Sequence, residues 1–405
     1  MTVAVAEPTW QSHLVRLVDQ ISAQGDLRSP RWRDALLAIP RHLFVPHYYL
    51  QDTSTRPARW VRHEPGDAQS TREWLELVYS PTTLITELAQ YADRGVQMPV
   101  CSSTKPDLMI RMLEALDIQN DHRVLEIGTG TGYHAALLTH RLGDHAVCSV
   151  DIDPALIAAA QQRLDQLGYH PTLVARDGAA GLPEHAPFDR IIATCALRAF
   201  PTEWIHQLRP GGTALVHLEG PLGAGNLLAL HRDPTQPMVQ GRFLPWWGCF
   251  MARRTRAGPS TGSPRPTRTT DAATTRDTTV NPAQIDGNQM FPFLAQLHLP
   301  PGMYRAIYLT DDDTPVTYLA SPDGSWCEIN RHPGHTGRHT VREAGPTHLW
   351  AAVETAWAEW TRLGAPAWHE FGLTATPTEH RIWHGDPHNG PHWTLPPDPL
   401  TIRTT

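Results

Sequence analysis

"VLEIGTGTGYHAA", residues 124–136, is the stretch whose reading decides the fold. A short apolar run containing Glu126 ends in three alternating glycines, Gly128, Gly130 and Gly132, and passes directly into Tyr-His-Ala-Ala. A buried strand that turns through glycines into a helix lets a ligand approach the backbone and sets it at the helix N-terminus. The spacing is GxGxG, not the GxGxxG of a dinucleotide fingerprint. Alone, the loop fits a nucleotide, another cofactor or a tight turn, and the residues downstream of it decide among them.

The next apolar run, "AVCSVDIDP", places Asp151 about 20 residues beyond the loop, where a carboxylate can accept hydrogen bonds from both hydroxyls of a ribose. A third run, "PTLVA", leads into "RDGAAG", where Asp177 and Gly178 can border an adenine. Each has a plainer reading when taken singly, Asp151 as a solvated strand end and Asp177 as an ordinary Asp-Gly turn. No lysine followed by Ser or Thr closes the loop, which excludes a phosphate-cradling NTPase. Glycine loop, acid after strand two, Asp-Gly after strand three and a further strand, "FDRIIATCA", together point to a site for S-adenosyl-L-methionine.

Around this segment strand and helix alternate: a helix over 107–117, the strand "RVLEI", the helix "YHAALLTHRLG", the strand "AVCSVDI" and a helix opened by Pro154 and closed by Gly168. "PTLVA", "FDRIIATCA", "PTEWIHQLRPGG" and "TALVHLE" come next as strand, strand, helix and strand. Such alternation gives an α/β fold with right-handed crossovers and a parallel sheet covered by helices. The first hundred residues read as a cover of helices and loops. Leu14, Val15, Leu17, Val18 and Ile21 recur at helical spacing, and "SPRWRDALLAIP" offers Ser29 as N-cap, Pro30 in the first turn and Pro40 as stop. Residues 101–252 form the core. Residues 253–285, rich in Thr, Arg, Pro, Ser and Gly and nearly free of large apolar side chains, cannot bury enough surface to offset their ordering entropy and read as a flexible linker. Residues 286–405 read as an α+β module, with β-like runs "MYRAIYL", "PVTYLA" and "SWCEI", the helix "THLWAAVETAWAEWTRLG" and a Trp/His/Pro-rich tail.

Composition narrows the function. A net charge of −7 over 405 residues is not the basic footprint of a nucleic-acid binder. Five scattered cysteines without a CxxC pair suggest neither a disulfide framework nor a thiolate metal site, and fit a reducing cytoplasm. The N-terminus lacks a signal-peptide pattern and no 18-residue apolar run occurs, so neither export nor membrane insertion is expected. His380, His384, His388 and His392 recur every fourth residue, but Gly385, Pro387, Gly390 and Pro391 break any helix that would align them, and no metal is expected. Packing within its own module is the expected role of the Trp-rich tail.

Four stretches, "IPRHLFVP" (39–46), "VLEIGTGTGYHAALL" (124–138), "RDGAAGLPEHAPFDRIIATCA" (176–196) and "LRPGGTALV" (208–216), resemble those of protein-L-isoaspartate O-methyltransferases in content and order. The resemblance spans about residues 30–220. It implies a class I methyltransferase fold, Rossmann-like, with a mostly parallel seven-stranded sheet. By position it also implies that Glu126, Gly128, Thr129, Gly130, Gly132, Asp151, Asp177 and Gly178 hold S-adenosyl-L-methionine. Where those enzymes carry Thr-Ile-Ser before a proline, this chain has "CSSTKP", so Thr104 takes the serine position and Ser103 precedes it; these two are the expected catalytic hydroxyls. Ser102, Lys105 and Arg198, the last in "TCALRAF", are the candidate substrate contacts, although a surface charge is the plainer reading of Lys105 and Arg198.

With its linker and its "EFGLTATP" tail the chain also looks like the actinobacterial methyltransferases that accompany ATP-grasp ligases in graspetide maturation. That resemblance implies a ribosomally made peptide, pre-modified by the ligase, as partner, with an aspartate esterified and then closed to an aspartimide. General isoaspartyl repair is the second reading, and a non-catalytic cofactor-binding scaffold for a maturation enzyme the third.

Overall fold

The computed structural model describes residues 9–91, 96–254, 273–287, 290–310 and 312–395. Two compact units emerge, one from Met1–Cys195 with His206–Leu215, the other from Ala196–Ile205 with Val216–Thr405.

The first unit opens with α1 (Trp10–Ala23), α2 (Pro30–Ala38) and α3 (Arg41–Phe44). The expected stripe of α1 is its buried face, Leu14, Leu17, Val18 and Ile21, joined by His13, while Val15 stays exposed. Ser29 sits at the N-cap of α2 but its side chain caps nothing; its amide instead donates to Glu114 Oε1 at 2.6 Å. The cover is not only helical. β1 (Tyr48–Asp52) and β2 (Arg59–His63) form a hairpin, α4 (Ala68–Val78) follows, and β3 (Leu84–Tyr91) and β4 (Val96–Ser103) complete a sheet in the order β2-β1-β3-β4. Charged and amide side chains interleave with Tyr, Trp, Leu and Val here, as suits an antiparallel sheet with one wet face.

α5 (Pro106–Ala115) leads into the core, where β5 (Val124–Ile127), α6 (Tyr133–Leu142), β6 (Val147–Asp151), α7 (Pro154–Asp165), β7 (Thr172–Ala175) and β8 (Phe188–Leu197) alternate as expected. β5 pairs in parallel with β6 and with β8, and β6 with β7. Every residue of β5 and β6 is buried, Glu126, Ser149 and Asp151 included, which is why their sequences show no polar/apolar alternation. α8 (Thr202–Gln207) and β9 (Leu208–Glu219) come next, and the strand order in this unit is β9-β8-β5-β6-β7.

The second unit takes up the end of β9 and continues through β10 (Gly225–Arg232) and β11 (Val239–Phe243). Within the stretch expected to be a linker, residues 255–272 lie outside the described residues, but Thr274–Thr278 form a strand, β12. Its threonines are β-branched, and Arg276 bonds Glu343 at 2.8 Å and Glu354 at 2.9 Å, which offsets the cost of ordering so polar a segment. α9 (Gln284–Gly287) and α10 (Met290–Leu297) precede β13 (Tyr304–Leu309), β14 (Pro315–Ala320), β15 (Trp326–Asn330) and β16 (His339–Ala344), which form an antiparallel sheet in the order β12-β16-β15-β14-β13. The expected helix is α11 (Leu349–Arg362), and Trp350 Nε1 donates to Thr278 Oγ1 at 3.1 Å.

The Trp/His/Pro-rich tail contributes strands too, β17 (Phe371–Ala375), β18 (His380–His384) and β19 (His392–Leu395), in the order β19-β18-β17-β11-β10-β9. Because β17 pairs antiparallel with β11, Val239 opposite Ala375, the unit does not begin at residue 286 as the composition indicated. Pairing differs between the units: in the first β5 to β8 pair in parallel, whereas in the second β10, β11 and β17 to β19 pair antiparallel. No helix among the described residues is long and apolar enough to cross a membrane.

His217, on β9 within the second unit, is buried and accepts the Phe250 amide on Nδ1 at 3.3 Å. Burial pushes its pKa down to about 4. A histidine that stays neutral when folded but charges at about 6.5 when unfolded makes stability fall as pH drops from about 6.5 toward about 4, by roughly 3 kcal/mol in all. Denaturant unfolding at pH 7 and pH 5 should show a larger loss for the wild type than for His217→Asn; equal losses would show that His217 does not set this pH dependence.

Candidate functional site

The three loop glycines each answer a different steric demand. Gly128 (φ +100°) faces Thr194, whose Oγ1 would lie 2.7 Å from any Cβ there and which donates to the Gly128 carbonyl at 2.8 Å. Gly132 (φ +87°) is the N-cap of α6, and a Cβ there would stand 2.9 Å from Ala160 Cβ on α7. Gly130 (φ +51°) faces β4: a Cβ built on it would lie 3.5 Å from Cys101 Sγ and 3.9 Å from the Ser102 carbonyl. The glycine loop and the segment expected to select the acceptor are thus neighbours, though far apart in sequence.

Asp151, at the end of β6, is 8 % exposed. Its Oδ2 accepts the Gly130 amide at 2.9 Å and its Oδ1 the Asp153 amide at 3.1 Å. The carboxylate therefore holds the loop in shape. The amides of Gly128 and Thr129 both donate to the Val150 carbonyl, at 2.8 and 3.2 Å, and Arg163 Nη1 braces the far side through the Thr131 carbonyl at 2.9 Å. Asp177 caps the short turn Gly178–Ala180 by accepting the Ala179 amide at 3.0 Å. Gly178 packs so closely on Ile127 that a Cβ would come within 2.5 Å of its Cγ2.

Glu126 lies deeper than the sequence indicated. It is wholly buried, with Oε2 accepting from Ser149 Oγ at 2.5 Å and Oε1 from His134 Nδ1 at 2.6 Å. Since Ser149 has given its proton to Glu126, Thr129 Oγ1 is the donor in its 2.6 Å contact with Ser149 Oγ. Glu126 and Thr129 thus belong to a buried network that ties the strand to the loop and to the first turn of α6. His134 was missed at the sequence level, where nothing but its position after the glycines marks it.

The segment expected to receive the acceptor alternates as a strand must: Cys101 and Ser103 are buried, Ser102 and Thr104 half-buried. Ser103, expected as a catalytic hydroxyl, is 2 % exposed, its Oγ turned to Arg41 Nη2 at 3.4 Å. Thr104 and Ser102 are the hydroxyls left nearer the surface. Lys105 pairs with Asp107 in the first turn of α5 at 2.8 Å, and its charge is answered there. Arg198 belongs to the second unit, where it pairs with Glu219 at 3.5 Å and donates to the Gly220 carbonyl. Neither is a free cation.

Gly128 to Gly132 at the head of α6, Asp151 after β6 and the Asp177 turn after β7 offer a carboxylate for a diol, a helix N-terminus for an anionic head group and a glycine-lined edge for a purine. That donor set, on a parallel sheet flanked by helices, defines a class I methyltransferase. Residues 78–232 match the family model described as protein-L-isoaspartate(D-aspartate) O-methyltransferase. A protein-L-isoaspartate O-methyltransferase of Xanthobacter autotrophicus is 41 % identical over 179 residues, 42 % of this chain and 81 % of that protein; one from Ignicoccus hospitalis is 28 % identical over 231 residues, 56 % and 92 % respectively. A solved protein-L-isoaspartate O-methyltransferase structure shares the fold at a TM-score of 0.50 and 21 % identity, covering 89 % of this chain and 96 % of its own. The chain belongs to the protein-L-isoaspartate O-methyltransferase family, and it is an S-adenosyl-L-methionine-dependent protein carboxyl O-methyltransferase.

Asp151→Ala removes both the acceptor for a ribose and the clamp on Gly130. Calorimetric titration with S-adenosyl-L-homocysteine should show affinity falling at least about 100-fold, since a carboxylate accepting two charge-assisted bonds is worth roughly 3 kcal/mol or more. Unchanged affinity would contradict the assignment of this loop as the cofactor cradle.

Proposed function

We propose that this enzyme esterifies the carboxylate of an aspartate-derived residue in a polypeptide, with the segment Ser102–Thr104 receiving the acceptor. The observation that supports the reading is the approach of β4 to the loop, where a Cβ on Gly130 would lie 3.5 Å from Cys101 Sγ and 3.9 Å from the Ser102 carbonyl, with the half-buried Ser102 and Thr104 close by in the chain. The bound cofactor supplies an already activated methyl group on its sulfonium. A carboxylate is ionised at neutral pH, so the protein needs no general base. Its task is to hold one carboxylate oxygen in line with the methyl carbon and to keep water from solvating it. Thr104 and Ser102 are the hydroxyls that orient it, Gly128 to Gly132, Asp151, Asp177 and Gly178 hold the cofactor, and Glu126 and Thr129 hold the loop from behind.

The acceptor we infer is an aspartate side chain in a ribosomally made peptide already cyclised by an ATP-grasp ligase. Attack of the following backbone nitrogen on the new ester, with loss of methanol, then gives an aspartimide. What supports it is the replacement of Thr-Ile-Ser by the more polar "CSSTKP". The isoaspartyl reading has its own support in the 41 % identity to a relative of that name. A second unit after the core does not argue against it, because a solved protein of that name aligns over 89 % of this chain.

Mass spectrometry after incubation with S-adenosyl-L-methionine separates the two. A cyclised precursor peptide should gain one methyl group and then lose methanol, while an isoaspartyl peptide stays unmodified. Methylation of the isoaspartyl peptide alone would establish the repair reading, and cofactor binding without turnover on either would make the chain a scaffold.

A further inference from the structure

The first and last residues of the short helix α3, Arg41 and Phe44, reach the two sides of the site. At one end Phe44 stacks obliquely on Tyr133, the first residue of α6, with ring centroids 5.6 Å apart, and a Cβ on Gly132 would lie 3.6 Å from the Phe44 ring. At the other end Arg41 points its whole guanidinium into the interior, where it is 0 % exposed. Nη1 donates to the carbonyls of Val78 at 2.6 Å and Ser80 at 3.1 Å. Nη2 donates to the carbonyls of Thr82 and Thr104, both at 3.1 Å, with longer contacts of 3.4 Å to the Ser103 carbonyl and Oγ. One planar fork therefore gathers two separate stretches, the turn 78–82 that leads into β3 and the end of β4 at 103–104.

Among the described residues no carboxylate forms an ion pair with Arg41. An unneutralised buried cation is a poor choice for packing alone: desolvating it costs several kcal/mol, and an apolar side chain of similar volume would fill the space without that penalty. What a guanidinium offers is five donors fixed in one plane, which converge several carbonyls at set angles in a way that a flexible ammonium does not. Carbonyls have no charge of their own to release, so the arrangement uses the cation wholly for geometry.

We propose that Arg41 is a positioning residue for methyl transfer, and that α3 is the gauge that sets the acceptor segment at its working distance from the cofactor loop. The inference rests on reading Ser102–Thr104 as the acceptor segment. Arg41 touches neither reactant; it fixes the backbone of Ser103 and Thr104, while Phe44 on the same short helix fixes the start of α6. A misplacement of about 1 Å in such a gauge is enough to cost roughly 100-fold in turnover.

The test uses the full chain, with Arg41→Lys, Arg41→Gln and, separately, Thr104→Ala. For each, kcat and KM for whichever peptide the wild type methylates are measured alongside S-adenosyl-L-homocysteine affinity by calorimetry. Both Arg41 variants should lose roughly 10- to 100-fold in kcat per cofactor-binding site, with cofactor affinity within about threefold of wild type and Lys retaining more activity than Gln. Variants whose activity falls only in step with the fraction able to bind cofactor would overturn the inference, because Arg41 would then serve folding alone. So would undiminished kcat in both. Undiminished kcat in Thr104→Ala together with impaired Arg41 variants would instead sink the reading of the acceptor segment.

Discussion

The bond from the Gly130 amide to the Asp151 carboxylate, 2.9 Å long, is the contact on which the site depends. It closes the loop after β5 onto the end of β6, at the carboxyl ends of the parallel strands, where ligands of α/β proteins settle. With Gly130 held there, the Gly128 and Thr129 amides reach the Val150 carbonyl, Gly132 is delivered to the head of α6, and the loop surface is brought against Cys101 and Ser102. A carboxylate accepting from backbone amides at this position is part of the scaffold of the loop, so its removal loosens the loop itself.

Behind the loop, a second layer repeats the theme with side chains. Glu126, Ser149, Thr129 and His134 form a buried hydrogen-bonded chain, so a shift of the loop would break bonds in the interior that water cannot replace. Arg41 does for the end of β4 what Asp151 does for the glycine loop: in both places a charged side chain is used to fix backbone.

The core was legible in the amino-acid sequence because its signals are local. Glycines at 128, 130 and 132 between a buried strand and a helix, Asp151 at a strand end and the Asp177-Gly178 turn are each set by residues within a few positions of one another. The depth of Ser103 was not legible in "CSST" because what lies against it, Leu84 on the paired strand and Arg41 on α3, is far upstream in the chain. Arg41 stands within "IPRHLFVP", one of the stretches that resemble the family, but what it holds was not legible, since its partners are carbonyls 37 to 63 residues away. β12 was hidden for a related reason: threonines that suit a strand also suit a linker, and the difference lies in Glu343 and Glu354, far downstream.

Whether the cofactor loop and the acceptor segment behave as one unit is measured by hydrogen–deuterium exchange of the full chain with and without S-adenosyl-L-homocysteine. Exchange should slow at 128–135, 149–153 and 176–180, together with 101–105, because the acceptor segment rests on the loop. Protection confined to other segments, or none in these four, would contradict the assignment of the cradle and of its contact with the acceptor strand.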